Sequence, residues 1–207
     1  MAQFLAPHPT NPQPRLLRSV ADILLDGGLI VYPTDSCYAF GWQLGEKSAA
    51  ERIRRIRQTS KDHNFTLVCR DLSEIATYAR IDNQAYRLLR TLTPGPYTFI
   101  LRATGEVPKR LQHPKRRSIG LRVPASPIAQ GILDMLAAPL MSSTLLLPGD
   151  DVPMTDASEI RTRLEHEVDA VVDGGSCGIE PTTVLDLSDG GVIVRRRGKG
   201  SIAFLEQ

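Results

Sequence analysis

Residues 16–36 read LLRSVADILLDGGLIVYPTDS, and the change of period inside this stretch decides the fold class. Leu16, Leu17, Val20, Ile23 and Leu24 recur at helical spacing until the pair Gly27-Gly28, which suits a left-handed helix stop. Residues 29–32 then form a short apolar strand, and Tyr32-Pro33-Thr34-Asp35-Ser36 closes it with hydroxyl and turn-forming residues. A helix that runs through two glycines into a buried strand is the unit of an α/β protein.

The same alternation continues outward. Residues 1–14 hold four prolines and no periodicity, so they read as an extended arm over the surface, with 15–207 forming one domain. Ala49, Ala50, Ile53 and Ile56 mark the next helix, which sets Arg54 and Arg57 within a turn of each other, and 65–69 the following strand. Asp82 caps a helix through Leu92, and the breaker Thr93-Pro94-Gly95-Pro96 precedes strands at 97–102 and 118–123. Ser126-Pro127 opens a helix carrying Ile128, Ile132, Leu133 and Leu136. Residues 140–147 read as a strand, Asp156-x-x-Glu159 as a capping box for a helix through Leu164, and 168–172, 182–187 and 192–194 as strands. Short connections and no internal repeat give a twisted mixed sheet with flanking helices in a single α/β domain.

Composition agrees with one globular core. A chain of 207 residues, 42% hydrophobic and 23% charged, should bury roughly 70% of its unfolded surface. No apolar run reaches the roughly 18 residues of a membrane span, and the start MAQFLAPHPTNPQPR lacks the pattern of a secretory signal, so the expectation is a cytoplasmic protein without a membrane partner. Cys37, Cys69 and Cys177 are odd in number and far apart, which fits thiols in a reducing compartment. The net charge is +2, but it is segregated. Between Arg102 and Arg122 stand seven Lys/Arg against Glu106, residues 150–173 carry eight acids against Arg161 and Arg163, and Arg195, Arg196, Arg197 and Lys199 restore positive charge. Such clusters attract phosphates or remain solvated surface.

Metal and dinucleotide chemistry find no support. His8, His63, His113 and His166 show no H-E-x-x-H and no Cys/His pairing at ligand spacing, so no structural metal is expected. Neither G-x-G-x-x-G nor G-x-x-x-x-G-K occurs. What remains is a set of strand ends rich in hydroxyls and arginine: Tyr32 to Ser36, Ser142-Ser143-Thr144, Pro181-Thr182-Thr183, Arg122-Val123-Pro124 and Arg196-Arg197-Gly198. Ligands of open α/β sheets bind where strands end, and hydroxyls with arginines there cradle phosphate and carboxylate oxygens. Any one of these serines and threonines taken alone fits strand packing equally well.

In order and together, these segments resemble the YrdC-like family of threonylcarbamoyl-adenylate synthases, over about residues 20–200. VYPTDSCYAFG is similar to the family's Y-P-T-[DE]-T-x-Y-G-L-G segment, TPGPYTFIL to its P-G-P-[LY]-T element and IGLRVPASP to its R-V-P segment. VVDGG followed by PTTVLDL resembles its D-G-G and P-S-T-V-V-D pair, and VRRRG its closing R-x-G. HNFTLVCRDLSE and LMSSTLLLPG place the chain nearest the YciO-type branch.

The resemblance implies a YrdC/RibB-like twisted sheet with a basic concave cavity for ATP, L-threonine and bicarbonate, and Mg²⁺ carried with the nucleotide. The threonine amine would capture carbonate as a carbamate, which would attack the α-phosphate and expel pyrophosphate in the threonylcarbamoyladenosine pathway of tRNA modification. Such chemistry rests on positioning and charge neutralisation. The implied ligand-binding residues are Thr34, which would seat threonine, Tyr38 in the same segment, Arg57, His63, Arg122 facing carboxylate or phosphate oxygens, Thr144, and Thr182 with Arg196 at the nucleotide end. Structured RNA, tRNA or another double-stranded region, is a further implied partner, although the aromatic residues are not interleaved with the basic runs as stacking platforms would require.

The chain departs from the synthase pattern at three places. K-x-R reads Arg57-Gln58-Thr59, His63 stands where a further lysine is expected, and S-x-N reads Thr144-Leu145-Leu146. Losing two polar contacts of about 1.5–3 kcal/mol slows turnover by roughly 10² to 10⁴. The expectation is a nucleotide-binding protein, with RNA as partner and synthase activity weak or lost. The alternatives are a fully active synthase and a related carbamoyl- or acyl-adenylate enzyme for another small acid. His63 reads either as a loop residue without a role or as a group whose charge switches near neutrality.

Overall fold

A computed structural model of the chain describes residues 1–60 and 63–205. Among them the elements run β1 (Gln3–Leu5), α1 (Pro14–Leu25), β2 (Ile30–Tyr32), β3 (Ala39–Gln43), α2 (Lys47–Arg57), β4 (Thr66–Val68), α3 (Leu72–Tyr78), β5 (Ala79–Arg80), α4 (Asn83–Leu92), β6 (Tyr97–Ala103), β7 (Ser118–Arg122), α5 (Pro127–Leu136), β8 (Leu140–Thr144), α6 (Ala157–Leu164), β9 (Ala170–Val172), β10 (Thr183–Asp186) and β11 (Ile193–Arg196). The strands join in one sheet of order β1-β9-β2-β3-β8-β4-β7-β6-β10-β11, with β5 paired to β6. Four pairs are parallel (β1 with β9, β2 with β9, β4 with β7, β6 with β10) and the others antiparallel, so the sheet is mixed. No helix among the described residues is long and apolar enough to cross a membrane.

Local chemistry accounts for the boundaries. After α1, Gly27 takes φ +82° and the Gly28 N–H donates to the Ile23 carbonyl at 2.9 Å, a reversal that favours glycine. Asp82, Ser126 and Asp156 each accept a bond from the backbone N–H three residues on, which is the N-cap role their position in the sequence suggests.

Hydrophobic packing covers the sheet in two clusters. One joins α1 and α5 to the inner strands through Leu17, Val20, Leu24, Ile132, Ile30 and Val172. The larger gathers Trp42, Phe40, Ile53, Phe99, Leu121 and Ile160.

Several elements differ from the sequence reading. The first 14 residues are extended, yet Gln3–Leu5 pairs in parallel with β9 and forms an edge of the sheet; three residues are too few to show a period. β3 escapes because all but its last residue are buried, which leaves no alternation to read. The strand expected over 140–147 ends at Thr144, where the Leu146 N–H turns back to the Thr144 carbonyl at 3.0 Å. Helix α3 begins where Asp71 caps Glu74, and its seven residues are too short for a clear apolar face.

Candidate functional site

The sheet's period of two builds the site. Side chains at alternate positions share a face, so Thr182 and Val184, Thr98 and Ile100, Ser118, Gly120 and Arg122, then Thr66, then Ser142 and Thr144 stand along one side of β10, β6, β7, β4 and β8. Together with loops at 34–39, 63–65, 151–153 and 179–181 they enclose a cavity of about 570 Å³, within the range of small-ligand sites. Its depth depends on small residues. A Cβ on Gly120 would come within 3.2 Å of Thr98 Cγ2 and 3.5 Å of Thr66 Oγ1, so a larger side chain there would rise into the cavity.

All eight residues suggested by sequence lie on this cavity: Thr34, Tyr38, Arg57, His63, Arg122, Thr144, Thr182 and Arg196. The three arginines share a design, each held from one edge. Arg57, the last residue of α2, donates from Nε to the Leu146 carbonyl at 3.2 Å and from Nη1 to Ser143 Oγ and His63 Nε2. Arg196 grips the Thr182 carbonyl through Nε and Nη2 at 3.0 and 2.9 Å. Arg122 pairs with Asp35 in an almost fully buried contact and donates from Nη1 to Ser36 at 3.3 Å. Among the described residues Nη2 of Arg57 and Nη1 of Arg196 meet no acceptor, and Nε of Arg122 is buried without one. Burial pulls the Arg57 and Arg196 guanidinium groups below their ordinary value, but guanidinium stays charged in proteins. The result is a set of fixed cations with donors left over.

The hydroxyls are more fully engaged. Thr34 Oγ1 donates to the Cys37 carbonyl at 2.7 Å and accepts from the N–H groups of Ser36 and Cys37 at 3.1 and 3.3 Å; it organises the loop, and its hydroxyl is spent inside its own turn. Tyr38 likewise bonds through its hydroxyl to Gly175 O at 2.7 Å and receives Gly174 N–H at 3.3 Å, pinning the 174–175 loop to β3, and burial raises its phenol above the ordinary value. Thr182 Oγ1 lies 2.8 Å from Thr98 Oγ1 and receives Arg196 Nη2 at 3.1 Å. Thr144, half-buried, ends β8 on the cavity wall.

His63 sits between Arg57 and Phe65. Arg57 can only donate, so His63 Nε2 accepts at 3.2 Å and the ring proton belongs on Nδ1. Burial, then the charges of Arg57 and Arg54, lower its pKa from the ordinary 6.5. That direction moves the change of charge away from neutrality and favours the neutral imidazole at pH 7. The thiols are also protonated there, since burial raises Cys37 and pushes Cys177 up to about 11.

Sequence reading missed Arg116, His113, Thr66, Gly120, Asp151 and Glu180, which also line the cavity. Arg116 belonged to a flagged basic run, but its partner Asp186 is 70 residues away. The same run is partly neutralised: Arg102 pairs with Asp189 at 2.8 Å. The two lining carboxylates belong to no group of three or more His, Cys, Asp or Glu able to hold a metal among the described residues.

Over residues 22–198 the chain matches the Sua5/YciO/YrdC family, described as telomere recombination. The uncharacterized protein YciO of Escherichia coli (strain K12) is 52% identical over 202 residues, 98% of each chain, and its crystal structure superposes with a TM-score of 0.94 over 98% of each. A putative threonylcarbamoyl-AMP synthase of Methanocaldococcus jannaschii is 26% identical over 185 residues, 89% of this chain and 86% of that one. P. abyssi Sua5 complexed with L-threonine shares the fold, with a TM-score of 0.88 at 20% identity over all of this chain and 60% of that chain.

Proposed function

The chain belongs to the Sua5/YciO/YrdC family, and from that premise we propose that its cavity binds ATP or AMP and supports threonylcarbamoyl-AMP chemistry at a much reduced rate. The observation that carries this reading is the trio Arg57, Arg122 and Arg196 on the wall of a cavity of about 570 Å³, each anchored by protein acceptors, with Arg57 and Arg196 each keeping a terminal nitrogen that meets no acceptor among the described residues. Anchored guanidinium groups lose little freedom when they meet phosphate or carboxylate, and their partial removal from water strengthens the attraction.

In the reaction so assigned, the threonine amine adds to the carbon of bicarbonate and water leaves to give the carbamate, one of whose oxygens attacks the α-phosphorus of ATP as pyrophosphate departs. Arg122 would face carboxylate or phosphate oxygens, and Arg196 with Thr182 would line the nucleotide end. Thr34 would act through its turn, since its hydroxyl already has partners. Mg²⁺ bound to ATP would neutralise phosphate charge.

The reduced rate follows from Leu146 and Thr59. Leu146 lines the cavity where the synthase pattern has an amide, and Thr59 carries a buried hydroxyl without a partner among the described residues where it has a second cation. Changing Thr59→Arg with Leu146→Asn should raise pyrophosphate release from ATP, threonine and bicarbonate by roughly 10²-fold or more. No threonine-dependent release from either protein would overturn the synthase reading.

Structured RNA is a second reading, favoured by Lys109, Arg110, Lys115 and Arg117, which are exposed beside the lining residues Leu111, His113 and Arg116. It predicts binding to double-stranded RNA whose affinity falls steeply between 50 and 200 mM salt.

A further inference from the structure

At Arg116, on the cavity wall away from the nucleotide end marked by Arg196, two arginines meet on one buried carboxylate. Asp186 closes β10 on the same face as Thr182 and Val184, with a side chain only 2% exposed. Its Oδ1 accepts from the Ser188 N–H at 3.1 Å and Ser188 Oγ at 2.6 Å. Its Oδ2 accepts from three guanidinium donors: Arg116 Nη1 at 2.9 Å, Arg195 Nε at 2.9 Å and Arg195 Nη2 at 2.7 Å. Burial alone would raise this carboxyl, yet the bonds from Ser188 and Arg195 outweigh it and hold the group below its ordinary value.

A break in sheet register creates this arrangement. Val184 pairs with Arg196 and Leu185 with Val194, which leaves Arg195 as the extra residue of a β-bulge. In a regular strand neighbours point to opposite faces; the bulge re-aims one side chain, so Arg195 and Arg196 both reach acceptors contributed by cavity-face residues of β10. Arg116 arrives from the far side, over β6, to the same carboxylate oxygen. Two guanidinium groups thus converge on one oxygen with one positive charge in excess. The Arg116 and Arg195 side chains remain 38% and 44% exposed, and Arg116 forms part of the cavity wall.

We propose that Arg116 and Arg195, gathered by Asp186, form a second phosphate subsite at the end of the cavity remote from Arg196. Four residue steps along the strand lead from Thr182 to Asp186, so the two subsites lie about 13 Å apart. That span suits the second phosphate of a ligand already held at Arg196, or a free phosphate or pyrophosphate beside a bound nucleotide. Asp186 is the positioning residue: it cancels the repulsion between the two guanidinium groups and fixes their outer edges.

This inference rests on the reading of the cavity as a phosphate site but not on its being a nucleotide site, and the test separates the two. The full chain is titrated calorimetrically with inorganic pyrophosphate, alone and after saturation with ATP. Two pyrophosphate sites are expected in the free protein and one after ATP. Arg116→Ala with Arg195→Ala should weaken the ATP-insensitive site by about 100-fold. Arg116→Lys alone keeps the charge but loses the planar fork, and should weaken that site by about tenfold. If the ATP-insensitive site is absent, or persists unchanged in both variants, the subsite is wrong. If ATP fails to bind while the arginine-dependent pyrophosphate site remains, the subsite stands and the nucleotide reading falls.

Discussion

At the scale of single residues, environment and identity separate. His63 by type is a group for neutral pH, but burial and two arginines lower its pKa. The folded state therefore favours the neutral ring, and the unfolded chain binds the proton more readily. Stability from this group is complete above the ordinary imidazole value of 6.5 and is lost as pH falls through the folded value below it. Thermal unfolding between pH 7.5 and 5.5 should show a fall in midpoint that His63→Gln reduces; an equal fall in both proteins would remove His63 as the cause. Arg122 is bound to Asp35 as well as facing the cavity, and deleting it alone would strand a buried carboxylate at a cost of about 3–5 kcal/mol. Paired with Asp35→Asn to avoid that loss, Arg122→Ala should weaken ATP binding by about 100-fold. Unchanged ATP affinity in a folded double variant would take Arg122 out of the site. The hydroxyl of Thr34 illustrates the limit of motif reading, since its residue type suggests a ligand contact and only its neighbours reveal that its bonds are used in its own turn.

At the scale of elements, what was legible depended on length and period. α1, α4 and α5 carry apolar stripes closed by glycines, caps or prolines, and their positions follow from spacing. β3 has no alternation because strands cover both its edges and side chains cover both its faces; its Gly41 is needed where a Cβ would come within 2.8 Å of the Tyr32 ring. The cavity floor was hidden for a related reason: Thr66, Thr98 and Gly120 look like ordinary strand residues until three strands lie side by side. The Asp186 cluster needed the bulge in β11, which no local pattern announces. Gly120→Val on β7 should crowd Thr98 and Thr66, lift a side chain into the cavity and reduce ATP affinity by about tenfold or more; isothermal titration giving wild-type affinity would mean that the ligand lies away from the floor.

For the whole molecule, one mixed sheet brings five separated hydroxyl and arginine segments to a single concave face, and that convergence could be read from the sequence only through their shared order with a known family. What the chain binds turns on whether the anchored arginines of that face take a nucleotide. The most direct measurement is isothermal titration with ATP, alone and with threonine and bicarbonate, on wild-type protein and on the Arg57→Ala, Arg196→Ala double variant. The account predicts ATP binding that tightens with threonine and bicarbonate and weakens by about 100-fold in the variant. No ATP binding at millimolar nucleotide, or binding unaffected by the loss of both arginines, would contradict it.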